Sequence, residues 1–121
     1  MGVPIRTHRD LIVWQQSYAL GKTIHVLSKG FPTDERFGLT SQMRRSATSV
    51  PCNIAEGFGR GTTDAYLHHL RIARGSLFEL DTQIQYAADF GYLPSDRHPA
   101  LREDWSEVDR LLQALIRSLG G

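Results

Sequence analysis

The sequence predicts an all-α protein, an antiparallel up-and-down four-helix bundle that forms a single domain over residues 1–121. Four segments carry apolar residues at the spacing of three and four that gives a helix one apolar face. Short connections rich in glycine and proline separate the segments, and short connections favour antiparallel neighbours. No stretch alternates between apolar and polar residues as a half-buried strand does. We therefore expect helices at about residues 10–28, 39–56, 64–90 and 97–119.

The first helix is predicted from about Asp10 to Ser28, with Thr7 or Asp10 as its capping residue. Its apolar side is expected to comprise Val13, Leu20, Ile24 and Leu27, broadened by Trp14 and Tyr18. Gly30 and Pro32 follow, and such residues are typical of a helix end. A short turn at about residues 33–37 then leads into the second helix.

The second helix contains the most distinctive stretch of the chain, LTSQMRRSATSVPCNIAEGFGR, from Leu39 to Arg60. Its apolar stripe comprises Leu39, Met43, Ala47, Val50 and Ile54. The opposite side is mostly small or polar and would let another backbone approach closely; it carries Ser41, Arg45, Thr48, Ser49, Cys52 and Glu56. We expect the helix to end near Glu56, because three glycines between positions 57 and 61 can adopt the left-handed conformation that terminates helices.

The third helix is predicted from about Asp64 to Phe90, with Thr63 as its cap, and the fourth ends near Leu119. The third helix has an apolar seam of Leu70, Ala73, Leu77, Leu80, Ile84 and Ala87. The fourth repeats the pattern with Leu101, Trp105, Val108, Leu112, Leu115 and Leu119. The alternation of three and four residues is typical of left-handed helix packing in bundles.

The back of the third helix carries Ile72, Glu79, Tyr86 and Phe90. A helix that packs on one side only would keep its back polar, so we expect this side to contact another copy of the chain. The small-residue side of the second helix is predicted to join the same contact. The expected oligomer interface thus comprises Arg45, Ser49, Cys52, Glu56, Ile72, Glu79, Tyr86 and Phe90.

Three runs of sequence together resemble a known family: VWQ at positions 13–15, GLTSQMRRSATSVPCNIAEGFGR at 38–60 and LRIARGSLFELDTQ at 70–83. The family is a group of four-helix bundles encoded in intervening sequences of bacterial 23S rRNA genes, and it includes accessory proteins of diversity-generating retroelements. The likeness covers nearly the whole chain, from about Asp10 to Leu119. It implies an up-and-down bundle that assembles as a ring-shaped homopentamer. The family's biochemical role is poorly defined, so the resemblance implies little chemistry.

Composition argues against several classes of protein. No apolar run approaches the roughly 20 residues that cross a bilayer, and the N-terminus lacks the apolar core of a signal peptide, so we expect a cytoplasmic protein without a membrane partner. The single cysteine, Cys52, excludes an intrachain disulfide, and we expect a buried, unreactive thiol. The sequence has neither the Glu-x-x-His pairs of di-iron bundles nor a nucleophile motif, so we expect no metal, no cofactor and no enzyme activity.

The basic residues are the remaining functional candidates. The net charge is only +1, but residues 36–75 carry +4 and residues 76–121 carry −4. Twelve of the 14 basic residues are arginine, which pairs bidentately with phosphates and carboxylates. The candidate contacts to RNA or DNA are Arg44, Arg45, Arg60, Arg71 and Arg74.

Two interpretations of these arginines stay open. A ring of arginine patches can bind nucleic acid through many weak phosphate contacts, without reading its bases. Alternatively, Arg44, Arg45 or Arg74 pairs with Glu56 or Glu79 within or between subunits, and the protein is a scaffold for a protein partner.

Overall fold

A computed structural model describes residues 4–121 of the chain. The helices are α1 (Ile12–Ser28), α2 (Leu39–Gly59), α3 (Thr63–Asp89) and α4 (His98–Ser118), with short 3-10 helices at His8–Asp10 and Thr33–Glu35. The described range contains no β-strand, which confirms the prediction of an all-α protein with four helices. None of the helices within residues 4–121 combines the length and the apolar character needed to cross a membrane.

Neighbouring helices run antiparallel. Between α3 and α4, Arg74 pairs with Asp109 and Asp81 pairs with Arg102, so residue numbers rise along one helix as they fall along the other. Each helix packs against its neighbours in the chain, and α4 closes the bundle against α1. The result is the up-and-down arrangement expected from the short connections.

The predicted seams form the core. Its most deeply buried side chains are Ile24 of α1, Met43, Val50 and Ile54 of α2, Leu70, Leu77, Leu80 and Ile84 of α3, and Leu101, Val108 and Leu112 of α4. Trp105 packs at the edge of this core, and its indole N–H donates to the backbone carbonyl of Leu77 at 2.7 Å. That hydrogen bond satisfies the one polar atom of the indole, so the ring can cover the seam between α3 and α4.

The start of α1 differs slightly from the prediction. Thr7 and Asp10 both act as caps, but they cap the 3-10 helix, and α1 itself begins at Ile12. The Thr7 hydroxyl accepts from the Arg9 N–H, while the Asp10 carboxylate accepts from the N–H groups of Thr7 and Arg6. These backbone hydrogen bonds lower the pKa of Asp10.

The end of α2 corrects the prediction. The helix continues to Gly59 instead of stopping near Glu56, and Gly57 is a buried helical residue. A Cβ at Gly57 would lie 2.8 Å from the Cβ of His69 and 3.2 Å from the carbonyl oxygen of Tyr66. This glycine therefore serves the close approach of α3, and it does not terminate the helix.

The short connection between α2 and α3 contains a glycine turn and the cap of α3. Gly61 is the residue with left-handed backbone, at φ 84°. The cap of α3 is Thr62, one residue before the predicted Thr63, and its hydroxyl accepts from the N–H of Ala65 at 3.3 Å.

Cys52 is exposed, so the prediction of a buried thiol was wrong. It follows the buried Pro51 on α2 and lies away from the apolar stripe of that helix. The error came from treating the small-residue side of α2 as fully covered. Only part of that side lies under α3, where the hydroxyls of Ser49 and Ser76 meet at 2.8 Å.

Candidate nucleic-acid and subunit interfaces

Arg44 ties α2 to α1. Its Nε donates to the Ser28 hydroxyl at 2.8 Å, and its Nη2 donates to the backbone carbonyl of His25 at 3.3 Å. The partners are a hydroxyl and a carbonyl, not the carboxylates of Glu56 or Glu79 that one interpretation of the sequence offered. The side chain thus has a structural contact and lies on the surface shared by α1 and α2.

Arg60 is neutralised at the end of α2. Its Nη2 lies 2.7 Å from Oε1 of Glu56, and the second carboxylate oxygen lies 3.9 Å from Nδ1 of His69. The hydrogen bond from Arg60, followed by the charge of His69, lowers the pKa of Glu56. The carboxylate is therefore ionised at neutral pH. Both partners are about half exposed, so the pair adds little to stability but cancels the charge of Arg60.

Arg71 and Arg74 line one cavity of about 460 Å³ beside α4. Arg74 is occupied: its Nε lies 3.0 Å from Oδ1 of Asp109, and its guanidinium covers the ring of Phe78 at 4.9 Å. Arg71 is exposed and forms no ion pair with any residue in the range 4–121. Two of the five predicted arginines, Arg71 and Arg74, thus line a common cavity.

Arg45 lines a different cavity, of about 420 Å³, between α2 and α3. The cavity is lined by Gln42, Arg45, Ser46, Ser49, Ser76, Glu79 and Gln83. Arg45 and Glu79 have opposite charges, yet neither forms an ion pair within the described part of the chain. Gln83 is 8% exposed, and its Oε1 has no hydrogen-bond partner among residues 4–121. We call this region the α2/α3 groove.

Large apolar side chains flank the α2/α3 groove along the outer side of α3. Ile72 is 41% exposed, Tyr86 is 54% exposed and Phe90 is 56% exposed. The rings of Tyr86 and Phe90 lie 5.7 Å apart. The prediction that these residues lie on the outside of α3 is confirmed, and their role as a subunit contact stays a prediction.

The fold divides the charges into two halves. Helices α1 and α2 contain one carboxylate, that of Glu56, against three cations: Lys22, Arg44 and Arg45. Helices α3 and α4 contain eight carboxylates against five arginines. The excess positive charge of the helices therefore lies on the α1/α2 side. The predicted sites Arg71 and Arg74 lie in the acidic half.

Sequence reasoning missed a column of side chains on α1. Trp14 and Tyr18 stack with their ring centroids 4.9 Å apart and their planes 13° apart. Arg9 covers Trp14 at 5.4 Å, and Lys22 covers Tyr18 at 4.9 Å. Tyr18 is 47% exposed, so its predicted place on the apolar side was wrong. The spacing of positions 14, 18 and 22 was the available signal, because residues four apart meet on a helix surface.

Comparison with known proteins identifies the fold and the family. A protein with unknown function from the S23 ribosomal protein family of Bacteroides thetaiotaomicron VPI-5482 has a crystal structure with a TM-score of 0.80 to this chain. The two are 22% identical, and the superposition covers 88% of this chain and 96% of that one, which shows a shared fold. No curated protein matches the sequence significantly. The family described as 23S rRNA-intervening sequence protein matches residues 9–114, most of the length. The chain therefore belongs to the 23S rRNA-intervening sequence protein family.

Proposed function

We propose that this protein is a non-enzymatic, self-associating helical bundle that binds the phosphates of RNA or DNA on its α1/α2 side. The supporting observation is the division of charge. The one carboxylate on α1 and α2, Glu56, is held by Arg60, so it does little to repel phosphate. The eight carboxylates of α3 and α4 disfavour a polyanion on the other side.

The proposal assigns different roles to the five arginines predicted to contact nucleic acid. Arg44 and Lys22 belong to the cationic half and are available to phosphate, whereas Arg45 lies in the α2/α3 groove and is assigned to self-association. Arg60 forms an ion pair with Glu56, and Arg74 forms an ion pair with Asp109. Arg71 is exposed but lies among the carboxylates of the acidic half, and a contact there would be weaker.

Self-association is proposed through the α2/α3 groove and the outer side of α3. Three half-exposed apolar residues, the unpaired charges of Arg45 and Glu79, and the unpaired buried oxygen of Gln83 support it. A soluble monomer does not ordinarily leave such groups together on its surface. The ring-shaped homopentamer implied by the family resemblance is the proposed assembly. Repetition of a weak phosphate-binding surface around a ring would raise its avidity.

A protein-interaction scaffold without nucleic-acid binding is the second candidate. The intramolecular contacts of Arg44, Arg60 and Arg74 favour it, because three of the five predicted arginines already have partners. The two candidates differ in how binding responds to salt, since phosphate contacts release counterions and hydrophobic contacts do not.

The test is a titration of fluorescently labelled RNA and duplex DNA by anisotropy, at about 50 and about 200 mM salt. With about three phosphate contacts, the Kd is expected to rise roughly 20-fold for a single strand and roughly 40-fold for duplex DNA between these salt concentrations. Replacing Lys22 of α1 and Lys29, the exposed residue directly after α1, together by Ala is expected to weaken binding at low salt by about tenfold. Absence of binding to either nucleic acid at low salt would favour the scaffold.

The matched control removes the same charge from the acidic half. The double change Arg71→Ala and Arg117→Ala also deletes two exposed cations, but on α3 and α4. It is expected to weaken binding by less than about threefold, because neighbouring carboxylates already reduce the potential there. An equal loss in both double variants would place the phosphate contact elsewhere and overturn the α1/α2 assignment.

A further inference from the structure

The column on α1 is an exposed aromatic surface with cations at both ends. Trp14, Tyr18 and Lys22 follow one another along α1, and Arg9 of the preceding 3-10 helix lies over Trp14, so each ring contacts the other ring and one cation. Trp14 is partly buried and fixed against the core, so the column has a rigid base. Tyr18 is the exposed ring, and the ammonium of the flexible Lys22 side chain lies over it, 4.9 Å from the ring centroid.

The surroundings of this column contain almost no negative charge. Helix α1 has no carboxylate in its 17 residues. The one carboxylate of α2, Glu56, is engaged by Arg60 and lies near His69 of α3, away from α1. The carboxylate of Asp10, at the start of the column, accepts hydrogen bonds from the backbone N–H groups of Arg6 and Thr7. Nothing in these elements would repel a phosphate chain running along α1.

We propose that the Trp14–Tyr18 column is a stacking surface for an unpaired base of single-stranded nucleic acid, with Arg9 and Lys22 contacting the flanking phosphates. Proteins that bind single strands without base preference combine these two features, a stacking aromatic ring and nearby cations. An incoming base replaces Lys22 over the outer face of Tyr18, and the freed ammonium moves to a phosphate. This inference rests on the proposed function and adds the form of nucleic acid that is bound.

The column is expected to select single strands because only unpaired bases can place a face against the Tyr18 ring. In a duplex the base faces are stacked on one another and cannot reach a ring outside the helix. Duplex DNA can therefore use only the cations of the α1/α2 side. A single strand uses the cations and also the ring.

The experiment compares a labelled oligothymidine of about 12 nucleotides with a duplex of the same length. The Tyr18→Leu variant keeps an apolar helix-forming residue but removes the ring. Its affinity for oligothymidine is expected to fall by about fivefold or more, since stacking contributes roughly 1–3 kcal/mol per base. Its affinity for the duplex is expected to stay within about twofold. Tyr18→Phe keeps the ring and is expected to bind both probes as the parent protein does.

Phe37→Leu is the matched control. Phe37 is 86% exposed and lies under Arg36 at 4.9 Å, but it stands outside α1 with no second ring in its column. This variant is expected to bind both probes normally. Unchanged oligothymidine binding by Tyr18→Leu, or an equal loss for both probes, would overturn the stacking assignment and leave the phosphate-binding proposal intact. Failure of the parent protein to bind either probe would overturn both.

Discussion

Gly57→Ala is expected to lower the free energy of unfolding by about 1–3 kcal/mol, whereas Gly75→Ala is expected to raise it by about 0.5–1 kcal/mol. Both glycines lie inside helices, so alanine gains the same helix propensity at each. At Gly57 the new methyl would stand 2.8 Å from the Cβ of His69 and 3.2 Å from the Tyr66 carbonyl oxygen. These neighbours belong to α3 near its backbone and cannot swing away, so α2 and α3 must separate.

Gly75 supplies the matched control. It is exposed in α3, and a Cβ there meets no atom within 4 Å. Denaturant unfolding of both variants at one protein concentration measures the two changes, with the concentration held fixed because the proposed self-association would also contribute to stability. Equal stabilisation by both changes would show that α3 does not depend on the missing side chain at Gly57.

The helices themselves were predictable from the sequence, because their apolar residues repeat with a helical period. Leu70, Leu77 and Ile84 lie seven residues apart, and all three are fully buried. The end of α2 was not predictable in the same way. A glycine permits both a left-handed turn and a close approach by another helix, and only the position of α3 shows that Gly57 serves the second and Gly61 the first.

The candidate site depends on contacts between residues that are distant in the sequence, so only part of it could be predicted. Arg74 pairs with Asp109, 35 positions away on α4, whereas the sequence offered Glu56 and Glu79 as partners. The window of residues 36–75 combined cations from α2 and α3 into one positive segment. Folding separates them, because α4 brings carboxylates such as Asp109 beside α3, whereas the one carboxylate of α2, Glu56, is engaged by Arg60 and lies near His69 of α3.

The exposed positions of α3 were predicted well, since Ile72, Tyr86 and Phe90 interrupt an otherwise polar side with a helical spacing. Cys52 and Tyr18 were predicted poorly. Tyr18 lies on the flank of α1, where periodicity alone does not decide whether a side chain is covered, and Cys52 lies opposite the apolar stripe of α2, on a side that α3 covers only in part. Whether such a residue is covered depends on how closely the neighbouring helix packs.

Reversal of one charge in the α2/α3 groove is expected to dissociate the proposed assembly. If Arg45 of one protomer pairs with Glu79 of the partner subunit, either Arg45→Glu or Glu79→Arg puts like charges in contact, which costs several kcal/mol at an interface. Each single variant is expected to have the native mass of a monomer at about 10 μM, by light scattering after size-exclusion chromatography. The double variant restores opposite charges and is expected to recover the parent mass. Arg36→Glu, a reversal at an exposed arginine outside the groove, is the control and should leave the mass unchanged.

Mixing the two single variants tests the symmetry of the ring as well as the contact. The Arg45→Glu chain presents two negative groups at its interfaces, and the Glu79→Arg chain presents two positive groups. Opposite charges then meet only where the two variants alternate. A closed ring can alternate throughout only with an even number of subunits, so a pentamer retains one repulsive contact and is expected to recover incompletely. Full recovery of the parent mass on mixing would indicate an even-numbered assembly, and persistence of the parent mass in both single variants would show that Arg45 and Glu79 do not meet across the interface.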